Sequence, residues 1–297
     1  MERRRLGRTD MVASVLGLGG AEIGYQRVSP ATAARLIHAA LDAGLNVIDT
    51  AECYDDSEAL IGRALAGRRQ DVLLFTKVGH PHGWGRGDWR PSSILASIER
   101  SLERLRTDRV DLVQLHSCDE RVLRRGAAIE ALETARARGL TRYVGYSGDG
   151  AAARYAVQCG RFDTLQVSVN IADQAAIDEV LPLARAAGLG VIAKRPLANA
   201  VWASRRRPES YYADYWERLR VLDYDFLRRP MDEAVGIALR FTLTVPGVHT
   251  AIVGTARPDR WPQNAALVAA GPLPPAEFEA IRARWRAVAR PDWVGQT

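Results

Sequence analysis

Val72-Leu73-Leu74-Phe75-Thr76-Lys77 is a short apolar run that ends on a lysine, and the fold follows from how it is read. It is too short for an ordinary helix and rich in β-branched and aromatic residues, which predicts a strand buried on both faces. The closing residue is unusual, because Lys77 and Lys194 are the only lysines among 41 basic residues, and Lys194 ends a second such run. An ammonium is a compact point charge able to tune a neighbouring acid, whereas a guanidinium spreads its charge over a planar fork. Lys77 is therefore read as chemically required.

Seven further runs have the same character: Val15 to Leu18, Val47 to Ile48, Val110 to Leu115, Tyr143 to Tyr146, Leu165 to Val169, Val191 to Ala193 and Ala251 to Val253. Between them lie stretches with apolar residues at helical spacing, such as Ile94, Ile98, Leu102 and Leu105. Ser29-Pro30, Pro91-Ser92 and Pro258-Asp259 open helices, while Gly44, Gly139 and Gly188 close them. Eight strand-then-helix units in 297 residues predict an α/β fold, a closed (β/α)8 TIM barrel forming one domain over 1–297. Two segments fall outside the alternation. Arg3 to Val15, with a Gly7-Arg8-Thr9-Asp10 turn, is expected to form an N-terminal β-hairpin. Ala198 to Pro230 is a long insert after strand 7, whose Trp202, Tyr211, Tyr212, Tyr215, Trp216 and Tyr224 suit either a lid over a planar ligand or a packed helical insertion.

Composition excludes several classes. With 47% hydrophobic and 26% charged residues the chain suits a globular protein with a sizeable core. The net charge of +6 would attract anions, but the arginines lie mainly in amphipathic stretches without interleaved aromatics, so no nucleic-acid partner is expected. No run approaches the roughly 20 apolar residues needed to cross a bilayer, so no membrane is expected either. Three cysteines without CxxC spacing and no leader-like N-terminus point to a reducing, cytoplasmic setting. A monomer or weak homo-oligomer is expected.

In such a barrel the active site lies beyond the C-terminal ends of the strands. Asp49 follows the second strand, with Tyr54 five residues on; Lys77 ends the third and His116 the fourth. A carboxylate, a phenol, an ammonium and an imidazole thus leave adjacent strands on one face. A phenol is a weak acid until a nearby cation favours its anion, which assigns Lys77 to acidify Tyr54, Asp49 to hold Lys77, and His116 to hydrogen-bond the substrate oxygen. His80 and His82 have no tight metal-ligand spacing, and no metal is expected. Cys53 reads as a bystander beside Tyr54 rather than a nucleophile.

Asp49-Thr50-Ala51-Glu52-Cys53-Tyr54, then Ser57-Glu58 and Ile61-Gly62, resembles the signature of the aldo-keto reductases. Phe75-Thr76-Lys77-Val78-Gly79, Ser101-Leu102-Glu103-Arg104-Leu105 with Asp111-Leu112, Gln114-Leu115-His116 and Gly145-Tyr146-Ser147 follow in that family's order, so the resemblance runs almost the whole chain. It implies a (β/α)8 barrel, NADPH as cofactor, a small-molecule carbonyl substrate, and the tetrad Asp49, Tyr54, Lys77 and His116 with Tyr54 as general acid. It also implies that Ser147 and Gln166 hold the nicotinamide carboxamide. The segment Gly254-Thr255-Ala256-Arg257-Pro258-Asp259-Arg260, followed by Gln263-Asn264, resembles the one that binds the adenosine 2′-phosphate and adenine. A helix N-terminus carrying Arg257 and Arg260 would attract a phosphate and favour NADPH over NADH.

The chain departs from the family pattern in places. Gly148 and Asp149 stand where the family usually has Asn. Ala193-Lys194-Arg195-Pro196-Leu197 replaces a segment that often brings an aromatic over the nicotinamide, which assigns Lys194 and Arg195 to the pyrophosphate or to an anionic substrate, with Leu197 on the cofactor side. Three loops are expected to shape an apolar pocket: His80 to Arg90 with Trp84 and Trp89, the insert with Trp202, and the C-terminal tail with Trp293. The expected activity is NADPH-dependent reduction of an aldehyde or ketone. The alternatives are an NADPH-binding sensor or regulatory protein with little turnover, as the altered nicotinamide contacts would allow, and a barrel lyase or isomerase acting on a sugar phosphate.

Overall fold

Each of the eight apolar runs forms a strand in the computed structural model, which describes residues 1–296. A two-stranded antiparallel hairpin, β1 (Arg3–Arg5) and β2 (Val12–Ser14), comes first. It is followed by β3 (Leu16–Gly19), β4 (Val47–Asp49), β5 (Leu73–Val78), β6 (Val110–His116), β7 (Thr141–Ser147), β8 (Thr164–Ser168), β9 (Gly190–Lys194) and β10 (Thr250–Gly254). These eight strands pair in parallel in chain order, and β10 pairs with β3 to close the barrel. The expected (β/α)8 architecture, hairpin and insert after its seventh strand are all present.

The helix starts follow their local chemistry. Ser29 Oγ accepts from the Thr32 amide at 3.1 Å and caps the helix Pro30–Asp42, whose first position suits the fixed φ of proline. The helix Pro91–Leu105 also begins on proline. The last helix around the barrel starts at Arg260, two residues later than the Pro258-Asp259 signal suggested, and those two residues form the turn before it. A further helix, Pro275–Val288, was not anticipated; it packs Ile281 and Trp285 inward, and its buried Arg282 pairs with Asp178.

Alternate residues of a barrel strand face the interior, and here their character changes along the strand. Val47, Phe75, Leu112, Ile192 and Ile252 form one buried apolar cluster with Leu6, Met11 and Ala13 of the hairpin. The hairpin therefore plugs the N-terminal end of the barrel. It is fastened by the Arg8 amide donating to the Gly188 carbonyl at 2.8 Å, and by the Ser14 amide donating to Asn46 Oδ1 at 2.7 Å. Two residues further along the same strands stand Asp49, Lys77, Gln114, Lys194 and Gly254. Apolar side chains thus fill the lower barrel and polar ones its upper mouth, one period-two step apart.

The insert is mostly a packed structure. Tyr215 and Tyr224 are buried, and their hydroxyls donate to Asp173 at 2.8 Å and to the Ile171 carbonyl at 3.1 Å. Truncating a core ring, as in Phe75→Ala, leaves a cavity in the lower apolar layer and is expected to cost about 3–5 kcal/mol. Urea denaturation of the variant and the parent chain measures the loss directly.

Candidate active site

Asp49, at the end of β4, and Lys77, near the end of β5, are both buried, and their side chains form a direct ion pair. Lys77 Nζ also donates to the Thr50 carbonyl at 2.9 Å. The second carboxylate oxygen of Asp49 accepts from Gln114 Nε2 at 3.2 Å and from Gln166 Nε2 at 3.0 Å. One carboxylate therefore joins side chains from β5, β6 and β8 across the barrel. Gln114 is a participant that the strand-end reading missed. Its signal is its position two residues before His116 on the same inward face. Gly145, its neighbour in register on β7, is what leaves room for it: a Cβ there would lie 3.1 Å from Gln114 Cγ and 2.2 Å from Thr164 Oγ1.

Above this pair stand the phenol and the imidazole. Lys77 Nζ lies 5.1 Å from the centre of the Tyr54 ring, and the rings of Tyr54 and His116 meet edge-on at 5.6 Å between centres. The four residues are brought together as expected, but the electrostatics of the phenol are reversed. Burial, followed by the negative charge of Asp49, pushes the Tyr54 hydroxyl well above the ordinary phenol value. Burial and the Asp49 charge outweigh the stabilisation that the Lys77 ammonium would give a phenolate in this state. Burial and the nearby Lys77 hold His116 well below the usual imidazole value, so the ring is neutral. Cys53 Sγ lies 3.5 Å from His116 Nδ1.

These groups open into a cavity of about 560 Å³ that runs from Asp49, Tyr54 and His116 past Ser147 and Gln166 to Lys194, Arg195, Leu197 and Gly254. Of the loop aromatics expected there, Trp84 lines it and is joined by Tyr25 and Tyr211. The other three are placed elsewhere. Trp89 packs against Gly79 and His80, Trp202 borders a separate groove within the insert, and Trp293 is buried beside Trp285 and Arg218. Glu22 also lines the mainly apolar pocket, beside Gly254, with its carboxyl pushed up by burial.

On the cofactor side the expected residues divide. Ser147 Oγ donates to Gln166 Oε1 at 3.0 Å, and both retain free hydrogen-bonding capacity toward the cavity. This suits a carboxamide, and the cavity floor fits a nicotinamide. Asp149 is pinned by Lys194 at 2.8 Å and by the Ser168 amide at 2.7 Å, so it does not replace the missing family Asn. Arg195 Nη1 donates to Ser168 Oγ at 3.0 Å and to the Gln296 carbonyl, while its guanidinium lies 5.1 Å from the Tyr211 ring centre. Neither Lys194 nor Arg195 is left as a free cation. At the β10 turn only Gly254 borders the cavity; Thr255 Oγ1 accepts from the Arg257 amide at 3.1 Å, Arg257 pairs with Asp259 at 2.6 Å, Arg260 contacts Gln263 at 3.1 Å, and Asn264 is buried on the following helix.

The backbone leaves the strands abruptly at this rim. Asp55, Ser117 and Arg195, each immediately after Tyr54, His116 or Lys194, have φ of 43°, 60° and 55°, and Ala198, Asn199 and Ala200 continue the left-handed series.

A family model described as the aldo/keto reductase family matches residues 15–286. The chain belongs to the aldo/keto reductase family. Among solved structures it is similar to the holo form of aldo-keto reductase AKR11C1 from Bacillus halodurans, 30% identical with 99% of each chain covered and a TM-score of 0.85. Among curated relatives it is 28% identical to the uncharacterized oxidoreductase YqkF of Bacillus subtilis, over 95% of this chain and 96% of that one. It is also 29% identical to L-galactose dehydrogenase of Arabidopsis thaliana, over 70% of this chain and 69% of the relative. Family membership makes this aldo/keto reductase an oxidoreductase of carbonyl compounds working with a nicotinamide cofactor.

The buried ion pair gives this aldo/keto reductase a stability signature. Lys77→Met leaves the Asp49 carboxylate without its cation and is expected to cost about 3–5 kcal/mol. The Asp49→Asn/Lys77→Met double variant should recover part of that loss in chemical denaturation, because no uncompensated buried charge remains.

Proposed function

We propose that this protein is an NADPH-dependent carbonyl reductase in which Tyr54 protonates the substrate oxygen. One observation carries the reading: in a single cavity, a phenol that keeps its proton stands beside a neutral imidazole and over a buried carboxylate–ammonium pair. Bound NADPH would supply the hydride to the carbonyl carbon. Ser147 and Gln166 would hold its carboxamide, with Lys194, Arg195, Leu197, Gly254 and Thr255 along its length. Arg257, Arg260, Gln263 and Asn264 would receive the adenosine end.

The proton chemistry follows from the environment of each side chain. As charge builds on the substrate oxygen it becomes alkoxide-like, a stronger base than phenolate, so Tyr54 can give up its proton even with its acidity suppressed. His116, being neutral, donates a hydrogen bond to the same oxygen without competing for that proton. Lys77 acts after the transfer begins. Its ammonium attracts a phenolate far more than a phenol, so its contribution is larger in the transition state than before it, and Asp49 keeps it in place. The acidifying role assigned to Lys77 thus belongs to the charged intermediate stage and not to the resting site.

A second reading, a nucleotide-binding sensor with little turnover, is favoured by Asp149 and by Arg195 at the cavity wall both being tied into protein contacts. A purified Tyr54→Phe variant separates the two. Loss of the general acid should lower kcat for a panel of aldehydes and ketones by about 10²- to 10⁴-fold while NADPH still quenches tryptophan fluorescence. Undiminished reduction would remove Tyr54 from the mechanism, and a parent enzyme that oxidises NADPH with no carbonyl would favour the sensor.

The same fluorescence titration tests the dinucleotide preference. Charge-assisted contacts to a 2′-phosphate should make NADPH bind about 10-fold or more tightly than NADH, and Arg257→Ala/Arg260→Ala should abolish the difference.

A further inference from the structure

His116 must present a proton, not a lone pair, to a carbonyl oxygen, and a neutral imidazole carries one proton on either of two nitrogens. What fixes the choice is the partner of the other nitrogen. The ring is surrounded by Tyr54 and His80, each 5.6 Å away between centres, and by Trp84 at 5.0 Å. All three meet it at steep angles and offer packing without a hydrogen bond. His80 does hydrogen-bond to the residue, but its Nε2 donates to the His116 carbonyl at 2.8 Å and leaves the ring untouched. Among the described residues the one side-chain hydrogen-bonding partner of the imidazole is Cys53, with Sγ 3.5 Å from Nδ1.

Sulfur can donate or accept in that contact, and the state of the thiol decides whether donation is open to it. Cys53 is 3% exposed, and burial pushes its thiol up to about 12, so sulfur keeps its hydrogen at neutral pH. Donation from that S–H requires Nδ1 to be the unprotonated nitrogen of the neutral ring. The proton is left on Nε2. His116 lines the cavity beside Tyr54, so a ring anchored through Nδ1 keeps Nε2–H as its free donor.

We propose that Cys53 is a positioning residue: its S–H donates to His116 Nδ1, fixing both the tautomer and the rotation of the ring so that Nε2–H is aimed at the substrate oxygen. The proposal rests on the reading of the site as a carbonyl reductase. It replaces the reading of Cys53 as a bystander, and it gives a physical reason for a thiol immediately before Tyr54.

The test uses the full chain with ¹⁵N-labelled histidine and no cofactor, the His116 signals being assigned by comparison with His116→Asn. The parent protein should show a protonated Nε2 and an Nδ1 shifted as a hydrogen-bond acceptor. In Cys53→Ala and in the bulkier Cys53→Val, neither of which offers a donor, the Nδ1 resonance should move to that of an unbonded nitrogen or of a tautomer mixture. With NADPH and a carbonyl substrate, kcat should fall about 5- to 10-fold in both, while the affinity for NADPH stays within about 2-fold of the parent. Cys53→Ser, which restores a donor, should recover most of the rate and the parent spectrum. An Nδ1 signal unchanged in Cys53→Ala and Cys53→Val, or a parent ring protonated on Nδ1, overturns the proposal. A parent protein with the expected spectrum that reduces no carbonyl would instead count against the enzymatic reading, because the spectral arm needs no turnover.

Discussion

The contact on which the upper barrel depends is the buried ion pair between Asp49 and Lys77. Neither charge has water to solvate it, so each needs the other, and the remaining carboxylate oxygen needs donors of its own. Gln114 and Gln166 supply them from β6 and β8. The result is a polar layer that sits directly on the apolar one and links four strands through one carboxylate. A buried pair of this kind contributes little net stability compared with a well-packed apolar layer. Its value lies in specificity: Lys77 has one position in which its charge and its hydrogen bonds are satisfied, and that position is under the Tyr54 ring.

Matching the two charges has an electrostatic consequence for the phenol. A lone ammonium would lower the pKa of Tyr54 and leave part of the population deprotonated and inert as a proton donor. Here burial and the adjacent Asp49 charge do the opposite, and the resting enzyme holds the proton. The same logic applies to His116, which burial and nearby cations keep neutral and therefore able to donate without becoming an acid itself. The site is built from groups kept in their uncharged forms around one charge-balanced pair. Reactivity then arises only when negative charge develops on a bound oxygen.

Much of the fold was legible because strand periodicity is a local property. Counting in twos from Phe75 reaches Lys77, and from Leu112 reaches Gln114, so the division between apolar plug and polar mouth is written in the sequence. The grouping of Asp49, Tyr54, Lys77 and His116 followed from strand ends alone. What was not legible depends on which way a side chain packs in three dimensions. Trp89, Trp202 and Trp293 lie in or beside the expected loops, yet each packs against protein and away from the cavity, while Tyr25, outside those loops, enters it and Tyr211 is the insert aromatic that does. Likewise the pairing of Arg257 with Asp259 within the basic turn could not be read from the sequence. The sign of the Tyr54 shift was illegible for the same reason, since adjacency to Lys77 is a matter of sequence position but desolvation is not.

The left-handed residues at the rim explain how these side chains are held. A non-glycine residue at positive φ costs on the order of 1 kcal/mol and persists only where its surroundings leave no alternative. Here the cost falls directly after His116 and Lys194, where a parallel strand hands the chain to a turn, and after Tyr54, within the turn that follows β4. A relaxed exit would let the strand run on and carry the next side chain away from the barrel axis. Reversing the backbone at once keeps the functional side chain over the mouth, fixed on one side by the strand ladder and on the other by the turn. The closed sheet below is stiff enough to absorb that strain, because its lower interior is filled by Val47, Phe75, Leu112, Ile192, Ile252 and the hairpin plug. Chemistry at the mouth is therefore positioned by packing several ångströms beneath it, through strand exits whose conformations no local sequence preference would select.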